Sequence, residues 1–214
     1  DGKLNYDLFQ DIENDSVLCY QYEDDICLLD GAIEFITGKG GKTLSFVQET
    51  ENPHDNNAIA IYFDDVKLGY VFRGNIQDML NDWILRGHYF FGYINKYSID
   101  EKKATFKIGF YKPLSDFESK QFSIVKTKKK VDEYTTREDY LLRCDEGETV
   151  SFEYDSEADS YIIYNSMCEE IGELPKSAVT YIKNSECKKA VGILESCETD
   201  INDKTTAKVS VFLI

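Results

Sequence analysis

The chain of 214 residues is poor in the side chains that build catalytic centres. It has two histidines, His54 and His88, which stand 34 positions apart with no serine or cysteine partner in a recognisable motif. Six cysteines, Cys19, Cys27, Cys144, Cys168, Cys187 and Cys197, nowhere form a CxxC pair. A structural zinc site draws on closely spaced ligand pairs, so no metal is expected. There is no GxSxG, no HExxH and no GxxxxGK[ST]. Gly38-Lys39-Gly40-Gly41-Lys42 is glycine-rich and basic, but Thr43 then opens a strand-like pattern, which predicts a tight hairpin rather than a phosphate cradle. The expectation is a protein that is not an enzyme, with no catalytic residues and no cofactor. No apolar run approaches the roughly 20 residues that cross a bilayer, so no membrane association is expected. No signal peptide is visible at Asp1-Gly2-Lys3. Reduced, partly buried thiols in a cytoplasmic monomer are the expected state of the cysteines.

Basic residues are also scarce. The net charge of −16 is hostile to nucleic acid as a whole-chain quantity, but it is unevenly spread. Residues 1–30 hold nine acids and one lysine, whereas residues 31–113 hold ten acids and ten bases. Residues 114–142 are again neutral, and residues 143–214 carry fifteen acids against seven bases. The acidity therefore lies toward the two ends.

Apolar and aromatic residues are plentiful, at 42% and 14%, enough to build a core rich in strand formers. Strands are predicted at Gly31–Thr37, Thr43–Glu49, Ala58–Phe63, Lys67–Phe72, Tyr89–Tyr97 and Ala104–Tyr111. Between the fourth and fifth, Ile76, Met79, Leu80, Trp83 and Ile84 fall on one face of a helix over about Asn75–Arg86, with Gly87 as its stop. This order describes a small barrel or curled sheet with an inserted helix. Residues 1–30 either add a strand through Val17–Tyr22 or pack as an acidic irregular arm.

The second half repeats the plan. Gly147–Phe152 echoes Gly41–Phe46, Tyr161–Tyr164 echoes Ile59–Tyr62, Gly172–Lys176 echoes Gly69–Arg73, and Ala190–Leu194 echoes Phe90–Ile94. A second helix is expected with Ala178, Val179 and Ile182 inward. The offset falls from 106 to 102 residues between the first two matches, so the second copy lacks four residues at one loop. The organisation expected is an arm at 1–30, a barrel at 31–113, a linker at 114–139 and a degenerate copy at 140–214. The linker's Lys126-Thr127-Lys128-Lys129-Lys130 reads as a phosphate-contacting patch or, preferably, as a solvated run.

The loop that the second copy lacks is Asn52-Pro53-His54-Asp55-Asn56-Asn57. Pro53 fixes φ, and Asn52 and Asp55 can bond nearby backbone N–H groups, so a self-capped turn explains much of it. The same groups can also face a ligand, Asp55 accepting from a sugar hydroxyl and Asn52 bonding a phosphate or base edge. Phe35, Tyr70 and Phe72 are aromatic neighbours that either stack bases or fill the core.

Four segments, Gly31–Gly38, Glu51–Ile59, Leu68–Val71 and the following helix, together resemble a HIRAN domain over about 80 residues. The resemblance implies mainly β (α+β) architecture, two small OB-like or SH3-like β-barrels, each with an inserted helix. It also implies binding of DNA at the 3′ end of a single strand. By that likeness Asp55 receives the terminal hydroxyl, Asn52 and Arg73 contact phosphate or sugar, and Phe35 with His54 lines a stacking pocket. Glu34 stands where DNA-binding members can carry Arg, and Phe72 where many have Pro. The expected nucleic-acid-binding set is Phe35, Asn52, His54, Asp55, Tyr70 and Arg73, with single-stranded DNA ends or a protein such as a DNA-processing enzyme as partner. The alternative is an acidic interaction or regulatory module that binds a protein through its barrel surfaces. DNA binding predicts that Lys39, Lys42, Arg73 and aromatics converge on Asp55, whereas protein binding predicts an apolar or acidic patch there.

Overall fold

The computed structural model describes residues 2–4, 6–187 and 189–214. Asp1 and Asn5, within the expected arm, and Lys188, within the expected second copy, lie outside the described residues. Strand takes 47% of the chain and helix 16%, so the protein is mainly β. It divides into two compact units, residues 1–113 and 114–214.

The first unit runs β1 (Gly2–Lys3), β2 (Ile12–Glu13), β3 (Ser16–Leu28), α1 (Ala32–Ile36), β4 (Thr43–Glu49), β5 (Ala58–Phe63), β6 (Val66–Val71), α2 (Asn75–Arg86), β7 (Phe90–Ser98) and β8 (Lys103–Pro113). All its strand pairs are antiparallel. Six of the strands form a closed ring: β4 pairs β5, β5 pairs β6, β6 pairs β3, β3 pairs β8, β8 pairs β7, and β7 returns to β4. Inward residues such as Phe46, Ile61, Leu68, Ile94, Phe106 and Phe110 fill it, and α2 packs Leu80 and Trp83 into the same core. Gly87 ends α2 in the left-handed conformation, as its position predicts.

Two expectations change here. Of the two readings of residues 1–30, the strand through Val17–Tyr22 is the one found and the outside arm is not, because β3 is the strand that closes the ring, bonding β8 over Ser16–Asp25 and then β6 over Ile26–Leu28. Gly31–Thr37 is not a strand. Gly31 turns the chain at φ 81°, and the next five residues form α1. Its buried residues are Ala32, Ile33 and Ile36, which is helical spacing, whereas a strand would bury alternate positions. One turn and a half is too short for that period to stand out in the sequence.

The second unit runs β9 (Ser119–Ser123), α3 (Arg137–Leu141), β10 (Thr149–Asp155), β11 (Ser160–Tyr164), β12 (Glu170–Glu173), α4 (Lys176–Lys183), β13 (Ala190–Thr199) and β14 (Thr205–Leu213). The stretch expected as a linker thus supplies β9 and the start of α3. Strand order is β12-β11-β10-β13-β14-β9, and Val125, just past β9, bridges Glu173 of β12 to close the ring. Ala178, Val179 and Ile182 of α4 are buried, as expected.

Its elements correspond to those of the first unit down to single glycines. A Cβ on Gly92 would stand 2.6 Å from the Phe46 ring, and one on Gly192 would stand 2.5 Å from the Phe152 ring. Gly41 N–H donates to Ile94 O and Gly147 N–H to Leu194 O, each at 2.8 Å. The β4–β5 loop holds residues 50–57 and the β10–β11 loop only 156–159, which places the four-residue difference at the decorated loop.

Candidate functional site

The site forms where the 50–57 loop, the end of β6 and the start of α2 meet. Gly69 brings β3 against β6 so closely that a Cβ there would sit 2.1 Å from the Cys27 carbonyl oxygen. A one-residue slip in the β5–β6 register, where Ile61 faces Gly69 and Tyr62 faces Lys67, makes a bulge at Leu68. Leu68 stays in the core while Lys67 and Tyr70 remain less buried and meet each other.

The loop is held by its own polar groups. Asn52 Oδ1 accepts from His54 N–H at 3.0 Å, and Asn52 Nδ2 donates to Glu49 Oε2 at 3.0 Å. Lys67 Nζ donates to Glu49 Oε1 and to Tyr70 OH, both at 2.6 Å, and Tyr70 OH donates to Glu49 Oε2 at 3.1 Å. Lys67 and then Asn52 hold the Glu49 carboxyl below its ordinary range. Asp55 Oδ1 accepts from Asn57 N–H at 2.9 Å, while Oδ2 accepts from Gln77 Nε2 at 2.9 Å and Arg73 Nε at 3.0 Å. These bonds, Gln77 first, depress the Asp55 carboxyl. Arg73 also donates to the His54 carbonyl. A carboxylate accepts about four hydrogen bonds, so Asp55 keeps capacity for one more donor.

Around this carboxylate lies a groove of about 310 Å³, lined by Asn52, His54, Asp55, Tyr70, Phe72 and Arg73 above a floor of Cys27, Ala58, Val71 and Gln77. Tyr70 and Asn52 also line a second, neighbouring cleft of about 480 Å³ with Gln48, Glu49, Thr50, Glu51 and Pro53. Phe72 is 47% exposed, and the Arg73 side chain is 70% exposed.

The structure brings five of the six expected residues together: Asn52, His54, Asp55, Tyr70 and Arg73. Phe35 is not among them. It lies on α1 with its ring 6.0 Å from that of Phe63, at the opposite end of β5 from Ala58, about 17 Å along the strand. Glu34 shares that helix. Lys39 sits over the Phe63 ring at 5.5 Å, and Lys42 precedes β4 at the end remote from the loop. Arg73 is therefore the one cation of the three that reaches Asp55. Five groove residues, Cys27, Ala58, Val71, Phe72 and Gln77, lie outside the expected set. Phe72 was legible as an aromatic neighbour, but Cys27 and Gln77 carried no signal of their own.

The second unit differs at the matching place. Three residues, 29–31, join β3 to α1, but residues 126–136 lie between the Val125 bridge and α3. Glu173 stands in the place of Tyr70. The fully buried Arg137 bonds Glu173 Oε1 at 2.8 Å and Glu170 Oε2 at 2.7 Å, and Lys126 and Ser160 bond Glu173 Oε2 at 2.6 and 2.9 Å.

Among the described residues no group of three or more His, Cys, Asp or Glu is placed to hold a metal ion, and no helix is long and apolar enough to cross a membrane. No family model matches the chain. No curated protein matches it either. Among solved structures it is similar to a protein from Lactobacillus plantarum, at 16% identity and a TM-score of 0.36, over 44% of this chain and 99% of that one.

Proposed function

We propose that the first unit is a non-enzymatic, HIRAN-like module that binds the end of a single DNA strand bearing a free 3′ hydroxyl. The observation that carries this reading is the convergence of His54, Tyr70, Phe72, Arg73 and Asp55 on one groove. Aromatic faces stack a base of any identity, and about 310 Å³ admits one nucleoside but no duplex. Arg73 meets a phosphate, and the remaining lone pair of Asp55 receives the 3′ hydroxyl. Asn52 spends its amide on the loop and shapes the groove from behind.

One cation predicts modest affinity and a shallow salt dependence, with log K falling by about 0.7 per decade of salt for a single phosphate contact on a single strand. Fluorescence anisotropy with labelled oligonucleotides carrying free or blocked 3′ ends tests this. Blocking the end is expected to weaken binding about tenfold, the scale of one hydrogen bond to a charged group. Asp55→Ala is expected to abolish the preference. Absence of binding at low salt rejects the proposal. A second reading, capture of an apolar peptide segment of a protein partner, is favoured by the positions of Lys39 and Lys42, which leave a groove floored by Ala58 and Val71 with one cation. In that case a peptide competes for the groove and DNA does not.

A further inference from the structure

The first unit has another cavity, of about 570 Å³. It is lined by three lysines from three elements, Lys3 of β1, Lys96 of β7 and Lys103 of β8, with Asp25, Glu101 and Tyr97 completing its walls. Tyr97 is fixed, its hydroxyl accepting from Gly38 N–H at 2.9 Å while its ring lies where a Cβ on residue 2 would stand. The lysines are weakly engaged. Lys96 meets Glu23 and Lys103 meets Glu101, each at 3.5 Å between exposed groups, and exposed pairs at that distance contribute little. Lys3 forms no ion pair among the described residues.

The cavity and the groove share a wall. Asp25 lines the cavity and Cys27 lines the groove, and the two are alternate residues of β3. Alternate residues of a strand face the same side, about 7 Å apart. Gln21, Glu23, Asp25 and Cys27 are all exposed along that side, while Ile26 is buried. The outer face of β3 is thus a continuous path from Arg73 and Asp55 to the three lysines.

We infer that the lysine-lined cavity is a second subsite for a polyanion, taking the internucleotide phosphates of the strand whose end sits at Asp55. This rests on the DNA-end reading above. The strand crosses the outer face of β3, and its phosphates displace Glu23 and Glu101 from Lys96 and Lys103. Asp25 stands on that path and opposes the ligand, so it limits affinity for the extended strand without touching the terminal nucleotide. The full site holds about four nucleotides, the low end for small barrels of this kind.

The test is anisotropy on the full chain with 5′-labelled oligothymidylates of two to eight nucleotides, each with a free 3′ end, across a salt series. Affinity is expected to rise up to about four nucleotides and then level. The salt slope is expected to steepen from about −0.7 for the dinucleotide to about −2 at the plateau, as three phosphates are contacted. Lys96→Glu with Lys103→Glu is expected to return the longer strands to dinucleotide affinity and slope, leaving the dinucleotide unchanged. Asp25→Asn is expected to strengthen the longer strands two- to fivefold and leave the dinucleotide alone, a gain that misfolding cannot imitate. Equal affinity at all lengths, or a lysine variant that weakens every length alike, overturns the second subsite while the terminal site stands. Absence of binding at every length overturns both.

Discussion

Gly69 shows how one residue sets the site. Its missing side chain lets β3 approach β6, and the required space is filled by backbone, which cannot swing aside as a side chain tip can. Gly69→Ala is expected to cost about 3 kcal/mol in urea unfolding, at the upper end for overpacking, and to displace Cys27 from the groove floor. Gln77 is a second such residue. It is 5% exposed and donates both to Asp55 and, at 2.9 Å, to the Asn57 carbonyl. Gln77→Ala removes one donor to Asp55 and one of two to the exposed Asn57 carbonyl, which Asn81 still bonds at 2.9 Å, and is expected to lower stability by about 1 kcal/mol. Of the groove residues, turn chemistry points to Asn52 and Asp55, Tyr70 is legible as a nearby aromatic, and the likeness to a known loop adds His54 and Arg73. Gln77 was hidden because a polar residue beside an apolar helical stripe reads as solvent-facing. Phe35 was misplaced because a run of five apolar and acidic residues fits either period.

At the scale of elements, five of the six expected strands and the helix α2 fall within two residues of their expected limits, since alternation and capping are local signals. What stayed hidden depends on distant partners. The segment 126–136 has the composition of a linker, yet it leads into Arg137, which is wholly buried between two glutamates. Burial works to raise the Glu173 carboxyl, but Arg137, Lys126 and Ser160 together hold it down to about 2, against 4.5 for a free glutamate. A depressed carboxyl stabilises the fold above its unfolded value and loses that contribution as protons bind. The second unit is therefore expected to lose about 3 kcal/mol as pH falls from about 4.5 through 2. Thermal unfolding across that window should be steeper for the native chain than for Glu173→Gln. Arg137→Ala, which takes the shared partner from both carboxylates and leaves Glu173 to Lys126 and Ser160, is expected to cost about 3 kcal/mol. Arg137→Lys should recover little, because one ammonium does not span the two carboxylates as the planar fork does.

For the whole molecule, the charge divides evenly: residues 1–113 hold nineteen acids and eleven bases and residues 114–214 hold twenty-one and thirteen, so each unit carries −8. Each has its own core. Chains comprising residues 1–113 and 114–214 are expected to fold separately, each giving one cooperative transition by circular dichroism. Within the first unit, β3 is synthesised before the two ring strands it joins, β6 and β8, and its partners on β8 lie 80 to 97 positions further on. A nascent chain leaves the β8-facing edge of β3 incompletely paired until residue 113 has emerged, with Glu23 and Asp25 guarding it against pairing with the wrong edge. Since the same strand floors the groove and walls the lysine cavity, neither surface exists on an unfinished chain, and ligand capture reports that synthesis of the unit is complete.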